Sequence, residues 1–294
     1  MMHHNYNPIV KTLGPQTGRL VLSLYDQNKP IFRLADAQAI LATNRNTASQ
    51  LVFELVKRGI ATRLKPGLFR LVPFELGFER EYLGNQYVVA RELVRARRKA
   101  TKTKLGHANK SEPYFLSHAS ALELHQMVTQ PQLVVYMTTP RMIRPKSILG
   151  TEFRFVRCKS SDLFGITDIW VDKSEKIQVS DLERTILDGL KQPNYCGGLT
   201  EVAKALWIKR DVISPGKLVG YALRLGVGAI IRRIGFLMEL YEMKSQSEIE
   251  QLRSKLTATY HLLDPGLPPE GRFVARWRLR LNVTEEELHN IVRT

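Results

Sequence analysis

The sequence predicts a mixed α+β fold, in which an N-terminal winged helix-turn-helix precedes a larger α+β domain. Three observations predict it. Residues 31–73 contain two short amphipathic helices, a tight turn between them, and two short strands after them. Residues 113–294 contain one helix pattern, then a run of four strand patterns, and then mostly helix patterns. Of the net charge of +16, residues 1–112 hold +11, from 19 Lys and Arg against 8 Asp and Glu.

The N-terminal elements follow from apolar spacing and turn chemistry. Helices are predicted at residues 19–28, 34–41 and 45–58, and strands at 61–64 and 68–72. Asn44 is suited to cap the helix at 45–58, because its side-chain oxygen can accept a backbone N–H of the first turn. Gly59 is a natural end for that helix. Pro66 and Gly67 suit a type II turn between the strands, since glycine adopts a positive φ without strain.

The polar side of the helix at 45–58 is a predicted DNA-binding surface. Its predicted contact residues are Arg45, Asn46, Thr47, Ser49, Gln50 and Lys57. Amides and hydroxyls read base edges, and cations meet phosphates, when such a helix enters the major groove. Arg63 and Lys65 extend the surface onto the strands. A winged helix used only for protein contacts is the alternative. Phe53 also lies on the polar side of this helix. We therefore expect either that another segment covers its ring or that the helix register differs slightly from the one assigned here.

A basic helix and linker are predicted at residues 76–112. Arg95 and Arg98 belong to this segment, which continues through several lysines to Lys110, and both are predicted DNA contacts. Two interpretations stay open. The scarcity of apolar residues predicts a disordered, solvated loop. The charge equally suits a clamp on phosphates beside the winged helix, and a disordered segment can order when it binds DNA.

Residues 1–75, 76–112 and 113–294 are the predicted divisions of the chain. The third holds predicted strands at 133–138, 152–158, 168–171, 176–179 and 272–281. Its predicted helices are at 118–126, 181–191, 199–208, 215–225, 229–242, 248–258 and 285–292. Ser117 is a predicted cap for the first of them. Ser180 with Glu183 three residues later predicts a capping box for the second.

Catalytic signatures are missing from the sequence. It has no P-loop, no Gly-x-Ser-x-Gly elbow and no HExxH motif. Cys158 and Cys196 form no metal-ligand spacing, and His118 and His125 are seven residues apart rather than four. We therefore expect no enzymatic activity, catalytic residues, cofactor or metal. Since no apolar run could span a bilayer and no signal peptide is visible, we expect a cytoplasmic protein without membrane contact.

Several blocks of the sequence resemble the AbiEi antitoxins of type IV toxin–antitoxin systems. They are residues 179–188 (VSDLERTILD) with the following Pro193 and 197–199 (GGL), 114–125 (YFLSHASALELH) leading to Val135 and Tyr136, 233–239 (RIGFLME) and 277–282 (WRLRLN). The order of an N-terminal winged helix and then an α+β antitoxin domain also fits. The resemblance covers nearly the whole chain, although the basic segment is longer and more basic than the family pattern.

The resemblance implies a DNA-binding antitoxin that binds inverted repeats in its own promoter and represses the operon. It also implies that the C-terminal domain counteracts a co-encoded AbiEii-like nucleotidyltransferase toxin, and it leaves direct contact between the two proteins open. Glu183, Arg184 and Asp188 are the candidate residues of the antitoxin domain. They are either surface recognition residues or capping and ion-pair residues, and the capping position of Glu183 favours the structural role.

Two alternatives stay open. One is a one-component transcriptional regulator with a ligand-binding C-terminal domain. The other is a DNA-processing enzyme guided by a winged helix, which would cleave DNA in the presence of metal. The acids Asp168, Asp172, Asp181, Glu183 and Asp188 suggest a metal nuclease, but Glu175 and Lys176 are adjacent and therefore point to opposite faces of a strand.

Overall fold

The structure is a computed structural model, and it describes residues 13–76, 81–95, 113–128, 133–172, 175–243 and 245–291. Contacts divide the chain into two compact units, residues 1–95 with 147–150 and residues 96–146 with 151–294. Helices and sheets together make up the fold, so the predicted mixed α+β class is confirmed. Within the described ranges, no helix combines the length and the apolar character that crossing a membrane requires.

The first unit combines helices with a small sheet. Its described elements are α1 (Pro15–Asp26), β1 (Ile31–Arg33), α2 (Leu34–Leu41), α3 (Arg45–Lys57), β2 (Ala61–Lys65), β3 (Leu68–Leu71) and α4 (Gln86–Val94). The strand order is β1-β3-β2, and β3 is antiparallel to both neighbours. Strand β1 is missing from the sequence prediction because three residues give too short an alternation to detect. Gly67, with φ 77°, lies between β2 and β3 as predicted.

The core of the first unit lies between α1 and α3. Leu20 and Leu24 of α1 are 0% exposed, and Val52 and Leu55 of α3 are 1% exposed. Helix α1 begins at Pro15, four residues before the predicted start, because the fixed φ of proline suits the first turn of a helix. Burying these apolar stripes determines which sides of the helices remain at the surface.

A six-stranded sheet has the order β6-β7-β5-β4-β9-β8. Its strands are β4 (Phe115–Leu116), β5 (Val134–Thr139), β6 (Lys146–Ile148), β7 (Thr151–Arg157), β8 (Ile166–Trp170) and β9 (Lys176–Ser180). Strand β5 runs parallel to β7, and β4 runs parallel to β9, whereas β4–β5 and β8–β9 are antiparallel. The two-residue β4 and the short β6 are too short to be predicted from an alternating pattern.

Helices supply most of the apolar core of the second unit. They are α5 (His118–Leu124), α6 (Leu182–Lys191), α7 (Leu199–Lys209), α8 (Pro215–Leu225), α9 (Gly228–Leu240), α10 (Gln246–Arg253) and α11 (Glu285–Asn290). Helix α6 packs against α5, α7, α8 and α9, which makes it the central helix of the unit. Ile186, Leu187 and Leu190 of α6 are 0% exposed.

The prediction of one strand at 272–281 is wrong. The chain forms β11 (Arg272–Val274) and β12 (Leu279–Leu281), which pair antiparallel, and β10 (His261–Leu262) lies parallel to β12. Trp277 is buried in the turn between β11 and β12, and its indole N–H donates to the Glu239 carboxylate at 2.6 Å. Gly235 of α9 makes room for this ring, since a Cβ there would lie 2.1 Å from it. Apolar residues lie on both sides of this turn, so the sequence pattern resembles that of one continuous strand.

Candidate functional site

Helix α3 has an apolar side and a polar side. Ala48, Val52 and Leu55 are buried on the first. The exposed predicted contact residues are Arg45, Asn46, Ser49, Gln50 and Lys57, and Thr47 is half-buried. The side-chain oxygen of Asn44 accepts the backbone N–H of Thr47 at 2.9 Å, so the predicted N-cap is confirmed. The structure therefore brings the α3 candidates together on one helix.

The charge of α3 suits an anionic ligand. Its first turn carries no acidic residue, and Arg45 stands at its N-terminal end. Within α3, where every residue is described, Glu54 is the sole acid, and Arg58 lies 3.7 Å from its carboxylate. A helix N-terminus carries partial positive charge from its unpaired N–H groups, and Arg45 adds a full one.

Phe53 lies among the polar residues of α3 and is 66% exposed. Neither expectation for this residue holds. No described segment covers the ring, and the burial of Val52 and Leu55 shows that the helix register is as predicted. An exposed phenyl ring in the middle of a polar helix side is a feature to which the sequence assigned no role.

The two predicted contacts on the strands differ in their surroundings. Arg63 of β2 is exposed. Lys65, at the end of β2, donates from Nζ to the carbonyls of Leu93 at 2.8 Å and Glu92 at 3.4 Å. These carbonyls belong to the last turn of α4, where a cation is favourable because the helix dipole is negative. Lys65 therefore holds the β2–β3 turn against α4, and its predicted DNA contact stays a prediction.

Arg95 lies at the same end of α4. Its Nη1 lies 2.6 Å from the Glu92 carboxylate, and its side chain is 44% exposed. Arg33 donates to the carbonyls of Arg95 at 3.2 Å and Glu92 at 3.4 Å. Asn85 caps the other end of α4, because its side-chain oxygen accepts the N–H groups of Tyr87 and Val88. Arg98 and the rest of the basic segment, 96–112, lie outside the described residues.

The predicted capping box at Ser180 and Glu183 is wrong by one residue. Asp181 is the N-cap of α6, and its Oδ1 accepts the N–H of Arg184 at 2.9 Å. The Glu183 carboxylate instead accepts the N–H of Ser214 at 3.0 Å and pairs with Lys217 at 2.9 Å. Burial alone would raise the pKa of Glu183, but its hydrogen bonds and the attraction of the Lys217 ammonium together lower the pKa. Glu183 therefore joins α6 to the start of α8.

Arg184 and Asp188 form a buried ion pair along α6. They are 2% and 4% exposed, and Arg184 Nε donates to Asp188 Oδ1 at 2.9 Å. The guanidinium also donates to the carbonyl of Asp162 at 2.7 Å and lies 4.5 Å from the ring centroid of Phe164. A charged pair withdrawn from water in this way holds neighbouring segments in place and offers little surface for recognition.

A second polar group is enclosed beside that pair. The Ser117 hydroxyl lies 2.9 Å from His118 Nδ1 and accepts a hydrogen bond from Thr138 at 2.8 Å, so it does not make the predicted cap. Burial lowers the pKa of His118, because the charged imidazolium is disfavoured away from water. Ser117 and His118 are 0% and 2% exposed, so both side chains are withdrawn from solvent in this structure. His125 Nε2 lies 2.6 Å from the Ser180 carbonyl.

Comparison with known proteins shows the fold. No family model matches this chain, and no curated protein sequence matches it either. The chain is similar to a solved structure described as the crystal structure of RV2827C protein from Mycobacterium tuberculosis, with a TM-score of 0.67 and 13% sequence identity. The match covers 98% of each chain. At this identity the similarity shows a shared fold over both units.

Removing one partner of the buried pair should destabilise the second unit strongly. Arg184→Met leaves Asp188 buried without a counterion, and such losses typically cost ~3–5 kcal/mol. Arg184→Met with Asp188→Leu removes both charges and should recover most of the loss. The measurement is the free energy of unfolding from urea titration of each variant. Equal stability of Arg184→Met and wild type would contradict a structural role for the pair.

Proposed function

We propose that the first unit is a winged helix-turn-helix that binds double-stranded DNA, with α3 as its recognition helix. The observation that carries the proposal is the exposed side of α3, which presents amides, a hydroxyl and cations around Phe53. The order of helices α1 to α3, followed by the β2–β3 hairpin, suits this class of DNA-binding unit. The surplus of basic residues in 1–112 adds attraction to phosphates.

The side chains of α3 suit both base and backbone contacts. Asn46 and Gln50 are one turn apart on the exposed side, and an amide can bond the N6 and N7 atoms of adenine in a bidentate manner. Phe53 lies one turn beyond, where an apolar ring can contact the methyl group of thymine. Arg45, Lys57 and Arg63 are then available to phosphates. Phe53 thereby acquires a function that the sequence pattern alone did not suggest.

We further propose that the protein represses its own toxin–antitoxin operon and counteracts a co-encoded AbiEii-like nucleotidyltransferase toxin through its second unit. The support is the resemblance of the sequence blocks at 114–125, 179–188, 233–239 and 277–282 to AbiEi antitoxins. On this proposal the protein is an antitoxin without enzymatic activity, and Glu183, Arg184 and Asp188 maintain the antitoxin domain. The ion pairs and burial of these three residues support that structural role.

Removing the amides of α3 should reduce sequence discrimination. Asn46→Ala and Gln50→Ala should each weaken binding to the fragment upstream of the protein's gene far more than binding to random DNA, because a good bidentate contact contributes ~1–3 kcal/mol of discrimination. Affinities come from fluorescence anisotropy with labelled duplexes. Gln16→Ala, at an exposed position of α1, is the matched control and should change neither affinity. Equal loss on both duplexes would show that the amides contact backbone or nothing.

DNA binding and protection from the toxin should separate. Arg45→Ala with Arg63→Ala should abolish repression yet leave cells protected when the variant is expressed from an unrelated promoter. Arg63 is chosen over Lys65 because Lys65 also stabilises the turn. Ile186→Pro, in the middle of buried α6, should remove protection, since proline inside a helix costs ~3 kcal/mol or more.

The measurement is growth with the toxin induced, beside a promoter-reporter assay and an immunoblot for each variant. Ile186→Val is the control for the proline variant and should still protect. If the Arg45/Arg63 variant is present at normal levels and fails to protect, protection depends on DNA binding and the proposed division between the units is wrong.

A further inference from the structure

A group of aromatic and arginine side chains occupies one surface of the small sheet of the second unit. We call Tyr260, Phe273, Arg278 and Arg280 the Arg–aromatic face. Phe273 of β11 lies directly opposite Arg280 of β12 in the antiparallel register, so the two side chains share a side of the sheet. Leu279 and Leu281, which flank Arg280, are 0% and 4% exposed and point into the core. The alternation along β12 thus directs Arg280 outward.

The four side chains of the Arg–aromatic face contact one another. The rings of Tyr260 and Phe273 meet edge to face, with centroids 5.1 Å apart. The Arg280 guanidinium lies 5.2 Å from the Phe273 centroid, and the Arg278 guanidinium lies 5.5 Å from the Tyr260 centroid. Phe273 is nevertheless 59% exposed. The contacts orient a phenyl ring that still presents most of its surface to solvent.

Carboxylates of the described residues do not neutralise the positive charge of this face. Among the described residues, neither Arg278 nor Arg280 forms an ion pair with a carboxylate. Neighbouring arginines do so: Arg272 lies 2.8 Å from Glu285, and Arg276 contacts Glu239. Arg278 also lies near buried Arg232, whose pKa is lowered first by burial and then by that like charge. An anion placed here would meet two guanidinium groups that no carboxylate of the described ranges pairs.

We propose that the Arg–aromatic face binds single-stranded nucleic acid. An exposed ring held by the Tyr260 ring and the Arg280 guanidinium is a platform on which an unpaired base can stack, and Arg278 and Arg280 are placed to contact the adjoining phosphates. A base inside a duplex is already stacked on both sides and cannot reach the ring, so the chemistry selects an unpaired strand. RNA and single-stranded DNA share this chemistry. The site is distinct from α3 and is independent of duplex binding there.

The test uses the full-length protein and two labelled probes of about 12 nucleotides, oligouridine and oligothymidine, with binding followed by fluorescence anisotropy. Phe273→Leu keeps an apolar side chain but removes the ring, and Phe273→Trp keeps a ring. Loss of one stacked base corresponds to about 5- to 150-fold weaker binding. We expect that loss for Phe273→Leu and near-normal binding for Phe273→Trp. Arg278→Gln with Arg280→Gln should weaken binding and flatten its salt dependence.

Matched controls separate stacking from general effects. Trp170→Leu removes another exposed aromatic ring of the second unit, one that lies 4.5 Å from the Lys176 ammonium, and Arg253→Gln removes an arginine paired with Glu250. Both controls should bind the probes as the wild type does. The two probes show whether the strand is RNA, DNA or either. Binding of duplex DNA, measured in parallel, should not change with Phe273→Leu. Because the two sites are tested with different probes, failure of duplex binding by α3 would leave the single-strand result unaffected.

Three outcomes would overturn the proposal. The first is no binding of either single-stranded probe, and the second is equal binding by the Phe273→Leu variant and the wild type. The third is a loss in the Trp170 control as large as that in the Phe273 variant. If single strands do not bind but Phe273→Leu abolishes capture of the toxin, the face is a protein interface rather than a nucleic-acid site.

Discussion

The burial of the apolar stripe of α3 is the constraint on which the proposed function depends. Ala48, Val52 and Leu55 each lie at 1% exposure or less in the core of the first unit. Because residues at this spacing share one side of a helix, burying them leaves Asn46, Gln50 and the rest of the opposite side at the surface. Rotating the helix to cover Phe53 would expose the stripe. Exposure of that ring therefore follows from the packing of the core.

A comparable constraint acts at the end of α4. The carbonyls of Glu92 and Leu93 receive Lys65, while Arg33 reaches the carbonyls of Glu92 and Arg95. Unpaired carbonyls at a helix C-terminus need donors, and cations satisfy them best. Lys65 thus joins the β2–β3 turn to α4, and Arg33 joins the end of β1 to it. In the second unit, other contacts of basic side chains join segments to α6: Arg184 donates to the carbonyl of Asp162, and Lys217 pairs with the carboxylates of Asp181 and Glu183.

Local patterns were sufficient to predict much of the fold. The bounds of α2, α8 and nearly all of α3 follow from apolar spacing, and the residue type of Asn44 predicts that it caps α3. The predicted side of α3 is exposed because helical periodicity determines it without reference to the rest of the chain. Strand β4 has two residues and β10 has two, so neither contains a pattern that could be recognised.

Such local patterns do not predict hydrogen bonds between residues that are distant in the sequence. Lys65 bonds to Leu93, Glu183 bonds to Ser214, and Arg233 bonds to Leu262, each pair at least 28 residues apart. No local spacing encodes these pairs, since the fold alone brings them together. The capping box failed for a different reason: Ser180 and Asp181 are both good caps, and the buried bond of Ser180 to Thr185 leaves the cap to Asp181.

Methylation protection of the promoter fragment tests directly whether α3 reads bases in the major groove. Dimethyl sulfate methylates guanine N7 in the major groove and adenine N3 in the minor groove, so one reaction reports both. If α3 reads bases, the protein protects guanine N7 at two patches separated by a multiple of roughly 10–10.5 bp, and Asn46→Ala with Gln50→Ala removes this protection. Protection of adenine N3 alone, or major-groove protection that survives in the double variant, would contradict base reading by α3.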